Sequence, residues 1–214
     1  DVYKRQFESL FAHQSKMKLD NYNNLLELFF DQYKKQDKNN IFLINLGNPK
    51  HNLSWQKTYL LVNHLSNQIS KDIKLGDRCV LISENRPEWL ISDLAIMLAG
   101  GISVPSYTTY TTKDYEYIIK DCEPSVLIVS NNIQFNKIKN ILDYKKIKKI
   151  ISFDRLDNLK FQNYLCIEDI INKKESFENF DSEISLKRSD PACIIYTSGT
   201  CLLYTSDAAD ERSC

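Results

Sequence analysis

Apolar positions along this 214-residue chain fall into short runs that switch repeatedly between a helical and an extended period. After Asp20, residues Tyr22, Leu25, Leu26, Phe29 and Tyr33 recur at i, i+3, i+4, i+7 and i+11. That spacing gathers them on one face of a helix, for which Asp20 is a plausible cap. Ile41-Phe42-Leu43-Ile44 predicts a strand, Gly47-Asn48-Pro49-Lys50 a turn, and Leu53-Ser54-Trp55 the hairpin partner. From Gln56 to Ser70, Leu61, Leu65 and Ile69 stand four residues apart, which predicts a helix. A turn at Lys74-Leu75-Gly76-Asp77 precedes Cys79-Val80-Leu81-Ile82, a continuous apolar run suited to a strand covered on both faces.

The next segments repeat the alternation. Pro87 and Glu88 suit a first helical turn, where proline forfeits no hydrogen bond and the acid complements the helix dipole. Leu90, Leu94, Met97 and Leu98 are expected to line its buried face, and Gly100-Gly101 to stop it. Ile102 to Pro105 predicts a strand, followed by a polar Tyr/Thr stretch. Thr111 with Asp114 resembles a capping box, and Tyr115, Ile118, Ile119 and Cys122 continue as a helix that Pro124 blocks. Val126–Val129 reads as a strand, Ile133–Leu142 as an amphipathic helix and Lys149–Ser152 as a further strand. Residues 154–188 are more polar and less periodic, and are expected to form a loop-rich excursion. Strands alternating with helices of these lengths imply βαβ units and a parallel sheet, an α/β fold in one incomplete domain.

Composition adds limits. Hydrophobic residues make up 43% and charged residues 26%, with 28 basic and 28 acidic side chains. This is the composition of a folded globular chain, and its neutrality argues against generic attraction to nucleic acid. No apolar run approaches the ~20 residues that span a bilayer. The start, Asp1 to Gln6, lacks the apolar core of a signal peptide, so the expected compartment is cytoplasmic on the assumption that this is the native N-terminus.

Both ends have an odd relation. Asp1 to Gln6 can be encoded as GATGTGTATAAGAGACAG; its reverse complement, read one base in, encodes Cys-Leu-Leu-Tyr-Thr-Ser, the residues Cys201 to Ser206. The DNA resembles a transposase-type sequencing adapter, whose continuation reads Asp207-Ala208-Ala209-Asp210-Glu211. Residues 1–6 and 201–214 are therefore expected to be adapter-derived, and 7–200 the natural part, cut at both ends. Leaving out those ends removes three basic and four acidic residues, for a net charge of +1.

Four cysteines of the natural part, Cys79, Cys122, Cys166 and Cys193, stand far apart beside apolar residues, as packed, reduced thiols would. With His13, His51 and His64 the only histidines, no zinc spacing forms. Asn85-Arg86-Pro87-Glu88-Trp89 lies at a strand's carboxyl end, where open α/β sheets bind ligands. A structural role, capping the helix and seating Trp89, is the expectation. Tyr107 to Thr112 reads as a loop leading into a helix, and Lys145-Lys146-Ile147-Lys148-Lys149 as a solvated edge with solubilising lysines.

The chemistry concentrates in Ala192-Cys193-Ile194-Ile195-Tyr196-Thr197-Ser198-Gly199-Thr200, an apolar strand running into small hydroxyl residues around a glycine. Glycine lets the backbone approach closely, successive N–H groups form an anion-binding nest, and the hydroxyls add donors. Neither GxxxxGK[ST] nor GxGxxG is present, and such a turn by itself also suits an unliganded surface loop.

Tyr196-Thr197-Ser198-Gly199-Thr200 after a strand resembles the phosphate loop of the AMP-forming adenylating enzymes, in which the motif continues Thr-Gly-x-Pro-Lys-Gly; here Cys201 follows instead. Leu53-Ser54-Trp55, Gly76-Asp77-Arg78, Ala99-Gly100-Gly101-Ile102-Ser103-Val104-Pro105 and Asp121-Cys122-Glu123-Pro124-Ser125 match that family in order. Ser83-Glu84-Asn85-Arg86-Pro87-Glu88-Trp89 is similar to its long-chain fatty-acyl-CoA ligase branch. The resemblance covers roughly Asn21 to Thr200 and implies the incomplete N-terminal part of the large domain of an adenylate-forming enzyme.

It further implies a two-step ligase using ATP, Mg2+ and coenzyme A on a small-molecule carboxylate, a fatty acid in that branch, with no nucleic-acid partner. Peripheral membrane association of the full-length enzyme is compatible with it. Thr197, Ser198, Gly199 and Thr200 are carried over as ATP-phosphate contacts, and Tyr196 as a packing residue. No catalytic residue or metal ligand falls within the natural part, so the fragment itself is expected to be inactive. An adenylating enzyme for another carboxylate and a non-catalytic α/β interaction module are the alternatives. A truncated sheet also leaves strand edges uncovered, which predicts poor solubility.

Overall fold

Asn24 accepts a hydrogen bond from the Glu27 N–H and so satisfies a donor that the first helical turn would leave open. The helix it caps, α1 (Leu25–Lys35), buries Leu26, Leu28 and Phe29. The computed structural model describes residues 22–45, 52–172 and 186–197; the expected cap Asp20 and the turn at 47–50 lie outside them.

β1 (Ile41–Leu43) pairs antiparallel with β2 (Leu53–Ser54), as the hairpin reading requires. Trp55, however, opens helix α2 (Trp55–Ser70), with Ser54 as its cap. The Trp55 indole stacks on Phe42 at 3.8 Å between centroids, and Tyr33 stacks on Tyr59 at 4.1 Å. Aromatic packing thus ties α1, β1 and α2 into one layer.

Five strands form a parallel sheet: β3 (Arg78–Ile82), β4 (Ile102–Ser106), β5 (Val126–Val129), β6 (Lys149–Ser152) and β7 (Tyr164–Cys166), in the order β4-β3-β5-β6-β7. Helices α3 (Pro87–Leu98), α4 (Thr112–Cys122) and α5 (Asn132–Ile138) make the connections, and α6 (Ile167–Asn172) follows β7. Successive side chains of a strand face opposite ways. Cys79 and Leu81 therefore join a core with α1, α2 and α3, and Val80 and Ile82 a second core with α4 and α5. Every residue of Cys79–Ile82 and Val126–Val129 is fully buried. Full burial of one such aliphatic side chain is worth roughly 1.5–3 kcal/mol, which is why runs without alternation hold the centre.

Helix α3 ends in a Schellman arrangement: Gly101 N–H donates to the Ile96 carbonyl and Gly100 N–H to that of Met97, with Gly100 at φ +82°. The Thr111–Asp114 capping box is present in full on α4.

Several expectations are corrected. Residues 154–188 supply β7 and α6 rather than only loops. Helix α5 stops at Ile138 instead of reaching Leu142, and Ile141 N–H turns back onto the Ile138 carbonyl. The face of α3 that is buried includes Ile91, Leu94, Ala95 and Met97, whereas Leu90 and Leu98 are half-buried. Lys149 is no solvated lysine: it is buried, paired with Asp72, and donates to the Gln68 carbonyl at 2.8 Å.

Candidate functional site

The strand order reverses between β3 and β5, since the chain steps from β3 to β4 on one side and then crosses back to β5 on the other. In doubly wound sheets ligands bind outside the carboxyl ends of strands at such a reversal. Three features meet along this edge: the loop after β3, the loop after β4, and the segment 192–197.

The loop after β3 is already engaged. Arg86 donates from both terminal nitrogens to Asp154, at 2.9 and 2.8 Å, and also pairs with Glu88. Its guanidinium lies over the Phe153 ring. Hydration lost on burial would lower the Arg86 pKa, but Asp154 and Glu88 outweigh this and raise it. Gln134 donates to Glu84 at 2.8 Å across the reversal. Arg86 thus ties the start of α3 to the residue pair that follows β6; of the structural role expected for Asn85–Trp89, Trp89 packs half-buried against the first core, but the cap residue Arg86 makes no side-chain capping hydrogen bond.

The segment carrying the hydroxyl cluster runs parallel to the outer edge of β4. Ser103 N–H donates to the Ala192 carbonyl at 3.1 Å, and Ile194 N–H to the Ser103 carbonyl at 2.8 Å. The expected strand reduces to this one bridge. The next residue of β4 placed to donate on that edge is Pro105, which has no N–H, so the Ile194 carbonyl finds no ladder donor there. Cys193 is consequently exposed, unlike the packed thiol expected, and Ile195 is 50% exposed. The other three cysteines are buried, with the Cys79 and Cys122 thiols pushed up to about 12 by burial.

Two tyrosines continue the hold. Tyr110 O–H donates to the Tyr196 carbonyl at 2.8 Å. Tyr196 O–H donates to Asp121, and its ring meets Tyr117 edge-on at 6.1 Å. Burial, and then the Asp121 acceptor, raise the Tyr196 phenol above its ordinary range. Tyr196 is a packing residue in this arrangement. Thr197 is exposed, and the parallel bridge directs it towards the carboxyl edge of the sheet. Of the four residues expected to contact phosphate, Thr197 is described, and Ser198, Gly199 and Thr200 lie outside the described residues. Ser103, Tyr110 and Asp121, which hold the segment, carry no local sequence signal for that role; Tyr110 belongs to the Tyr/Thr stretch read as a loop.

Fold and edge together define an open α/β sheet of the kind that receives a ligand at its carboxyl ends. Residues 29–201 match the family described as AMP-binding enzyme, and the chain belongs to that family. Among curated proteins it is similar to the long-chain-fatty-acid–CoA ligase ACSBG1 of Rattus norvegicus, 27% identical over 187 residues, covering 85% of this chain and 24% of the relative. It is also similar to the long-chain-fatty-acid–CoA ligase FadD15 of Mycobacterium tuberculosis, 28% identical over 138 residues, covering 62% of this chain and 22% of the relative. The chain thus spans about a quarter of the length of the curated relatives it matches. Among solved structures, coronafacic acid ligase from Pectobacterium brasiliense superposes with a TM-score of 0.67 at 20% identity, covering 82% of this chain and 33% of that one. MatB from Rhodopseudomonas palustris does so with 0.60 at 21%, covering 83% and 33%. These likenesses establish the fold.

Proposed function

We propose that this chain is the N-terminal part of an ATP-dependent, AMP-forming fatty-acid–CoA ligase, with residues 7–200 a partial AMP-binding domain between adapter-derived residues 1–6 and 201–214. In the first step a carboxylate oxygen attacks the α-phosphorus of ATP and pyrophosphate leaves, giving an acyl-adenylate. The thiol of coenzyme A then attacks the acyl carbonyl, a thioester forms, and AMP leaves with the bonding pair of the broken mixed anhydride. Phosphoryl chemistry of this type asks a protein chiefly for charge neutralisation and in-line placement.

Thr197, Ser198, Gly199 and Thr200 take the placement role, cradling ATP phosphates with hydroxyl and backbone N–H donors. What carries the reading is the position of Thr197: the motif-bearing segment is bridged in parallel to β4 and so leaves at the carboxyl edge. The long-chain fatty acid as substrate is supported by the names of the curated relatives. Magnesium enters as the ion accompanying the nucleotide. Among the described residues no group of three or more His, Cys, Asp or Glu side chains is placed to hold a metal, and this reading assigns its protein ligand to sequence beyond Thr200. The enzyme is cytoplasmic in this reading, with peripheral access to membrane-borne fatty acid; among the described residues no helix is long and apolar enough to cross a membrane.

Reading the gene past codon 200 tests the proposal first, with Thr-Gly-x-Pro-Lys-Gly expected. The uninterrupted protein should then release pyrophosphate from ATP with fatty acids and form their CoA thioesters, while the 214-residue chain should do neither. An unrelated continuation, or no pyrophosphate release with any of a panel of fatty, aryl and amino acids, overturns it.

A further inference from the structure

Because β4 ends at Ser106, the Tyr196 carbonyl finds no strand donor among the described residues of the kind that Ala192 finds on β4. The hydroxyl of Tyr110 takes that carbonyl instead, at 2.8 Å. We infer that Tyr110 is a positioning residue for nucleotide binding, which sets the point from which Thr197 leaves the sheet edge. This rests on the reading of Thr197–Thr200 as the phosphate loop and adds to it the group that aims the loop.

The hydroxyl is held rather than free to swing. The Tyr110 ring meets Tyr107 edge-on at 5.4 Å and Tyr115 at 6.0 Å. Tyr115 is fully buried, and its own hydroxyl donates to the Tyr107 carbonyl at 2.7 Å, closing the loop that carries Tyr110. One residue on, the Thr111–Asp114 box starts α4. A chain of fixed groups therefore runs from the buried core, through Tyr115 and the 107–110 loop, to the backbone just ahead of Thr197. Asp121, at the other end of the same helix, takes the Tyr196 phenol, so Tyr196 is gripped at both its backbone and its side chain.

This geometry separates placement from folding. Phenylalanine at 110 keeps the aromatic packing and removes the donor to the Tyr196 carbonyl, leaving the bridge at Ser103 intact. A loop no longer aimed should bind phosphates less well, while the carboxylate and coenzyme A, recognised elsewhere, should be unaffected.

The test is Tyr110→Phe in the protein translated from the uninterrupted gene. Relative to the parent, KM for ATP should rise about fivefold, the ratio that loss of one neutral hydrogen bond gives. KM for the carboxylate and for coenzyme A should stay unchanged, and the melting midpoint should fall by no more than about 4 °C. An unchanged KM for ATP overturns the inference, as does a uniform rise in all three KM values with a large loss of melting temperature. Hydrogen–deuterium exchange reads the hold directly and needs no activity. Amides of residues 194–197 should exchange faster in the variant while those of β3 and β5 do not; equal rates in that segment also overturn the inference. A parent protein that forms no adenylate with any carboxylate defeats the ligase reading itself, and the exchange comparison still decides whether Tyr110 fixes the segment.

Discussion

Replacing Arg86 separates two parts of the carboxyl edge that its guanidinium joins. The side chain is 24% exposed, Glu88 is 8% exposed, and Asp154 is 47% exposed. Arg86→Ala therefore leaves a buried Glu88 carboxylate uncompensated and a forked pair broken. We expect a loss of about 1–2 kcal/mol in denaturant unfolding, discounted for the hydration of Asp154. Arg86→Lys should recover less than half, because an ammonium cannot form the fork. Two acids bring opposite pH dependences. Loss of hydration pushes the Asp93 carboxyl up. Its folded pKa then exceeds the unfolded value of about 3.9, so the charged form penalises folding at pH 7 and the penalty vanishes below pH 4. Asp93→Asn should be more stable than the parent at pH 7, with the difference closing as pH falls to about 4 in denaturant titrations. Burial also pushes Asp72 up, but hydrogen bonds from Lys149 and Asn163 outweigh it and its pKa falls. Asp72→Asn should accordingly lose stability at pH 7, the parent's advantage disappearing as pH falls through the depressed folded pKa.

At the scale of elements, the termini matter most where one residue type alone satisfies the backbone. Gly100 at φ +82° closes α3, and an added Cβ would also meet the Leu75 Cδ1 at 3.2 Å. Gly100→Ala should cost about 1 kcal/mol or more, seen as a lower denaturation midpoint with an unchanged m value. That stop was legible in the sequence because the glycine requirement is local. The buried face of α3 was not: its residues are apolar almost all round, so periodicity points nowhere, and the sheet beneath selects Ile91 and Ala95 over Leu90 and Leu98. β7 escaped notice for a related reason. Tyr164-Leu165-Cys166 is three residues in a polar stretch, and it becomes a strand by pairing Leu165 with Ile151 of β6.

On the scale of the molecule, the sheet's outer margin beside β4 carries a single bridge among the described residues, with Ile195 50% and Tyr117 49% exposed near it. Edges of that kind recruit other chains. The 214-residue chain on its own should self-associate in sedimentation velocity at micromolar concentration; a monodisperse monomer with one cooperative melt would count against this. The βαβ alternation, the continuous apolar runs of β3 and β5, the Thr111 cap and the Gly100 stop could all be read from residues in order, since each depends on neighbours within a few positions. Of the hydroxyl cluster at 197–200, Thr197 is described, exposed at the end of the bridged segment, and the other three lie outside the described residues. Strand order β4-β3-β5-β6-β7, the burial of Lys149 against Asp72, the Arg86–Asp154 fork and the grip of Tyr110 and Asp121 on Tyr196 were decided only in three dimensions. They join residues from 68 to 86 positions apart in the case of Arg86 with Asp154 and Tyr110 with Tyr196, and no pattern confined to a few residues can register a contact whose partner arrives only when the sheet closes.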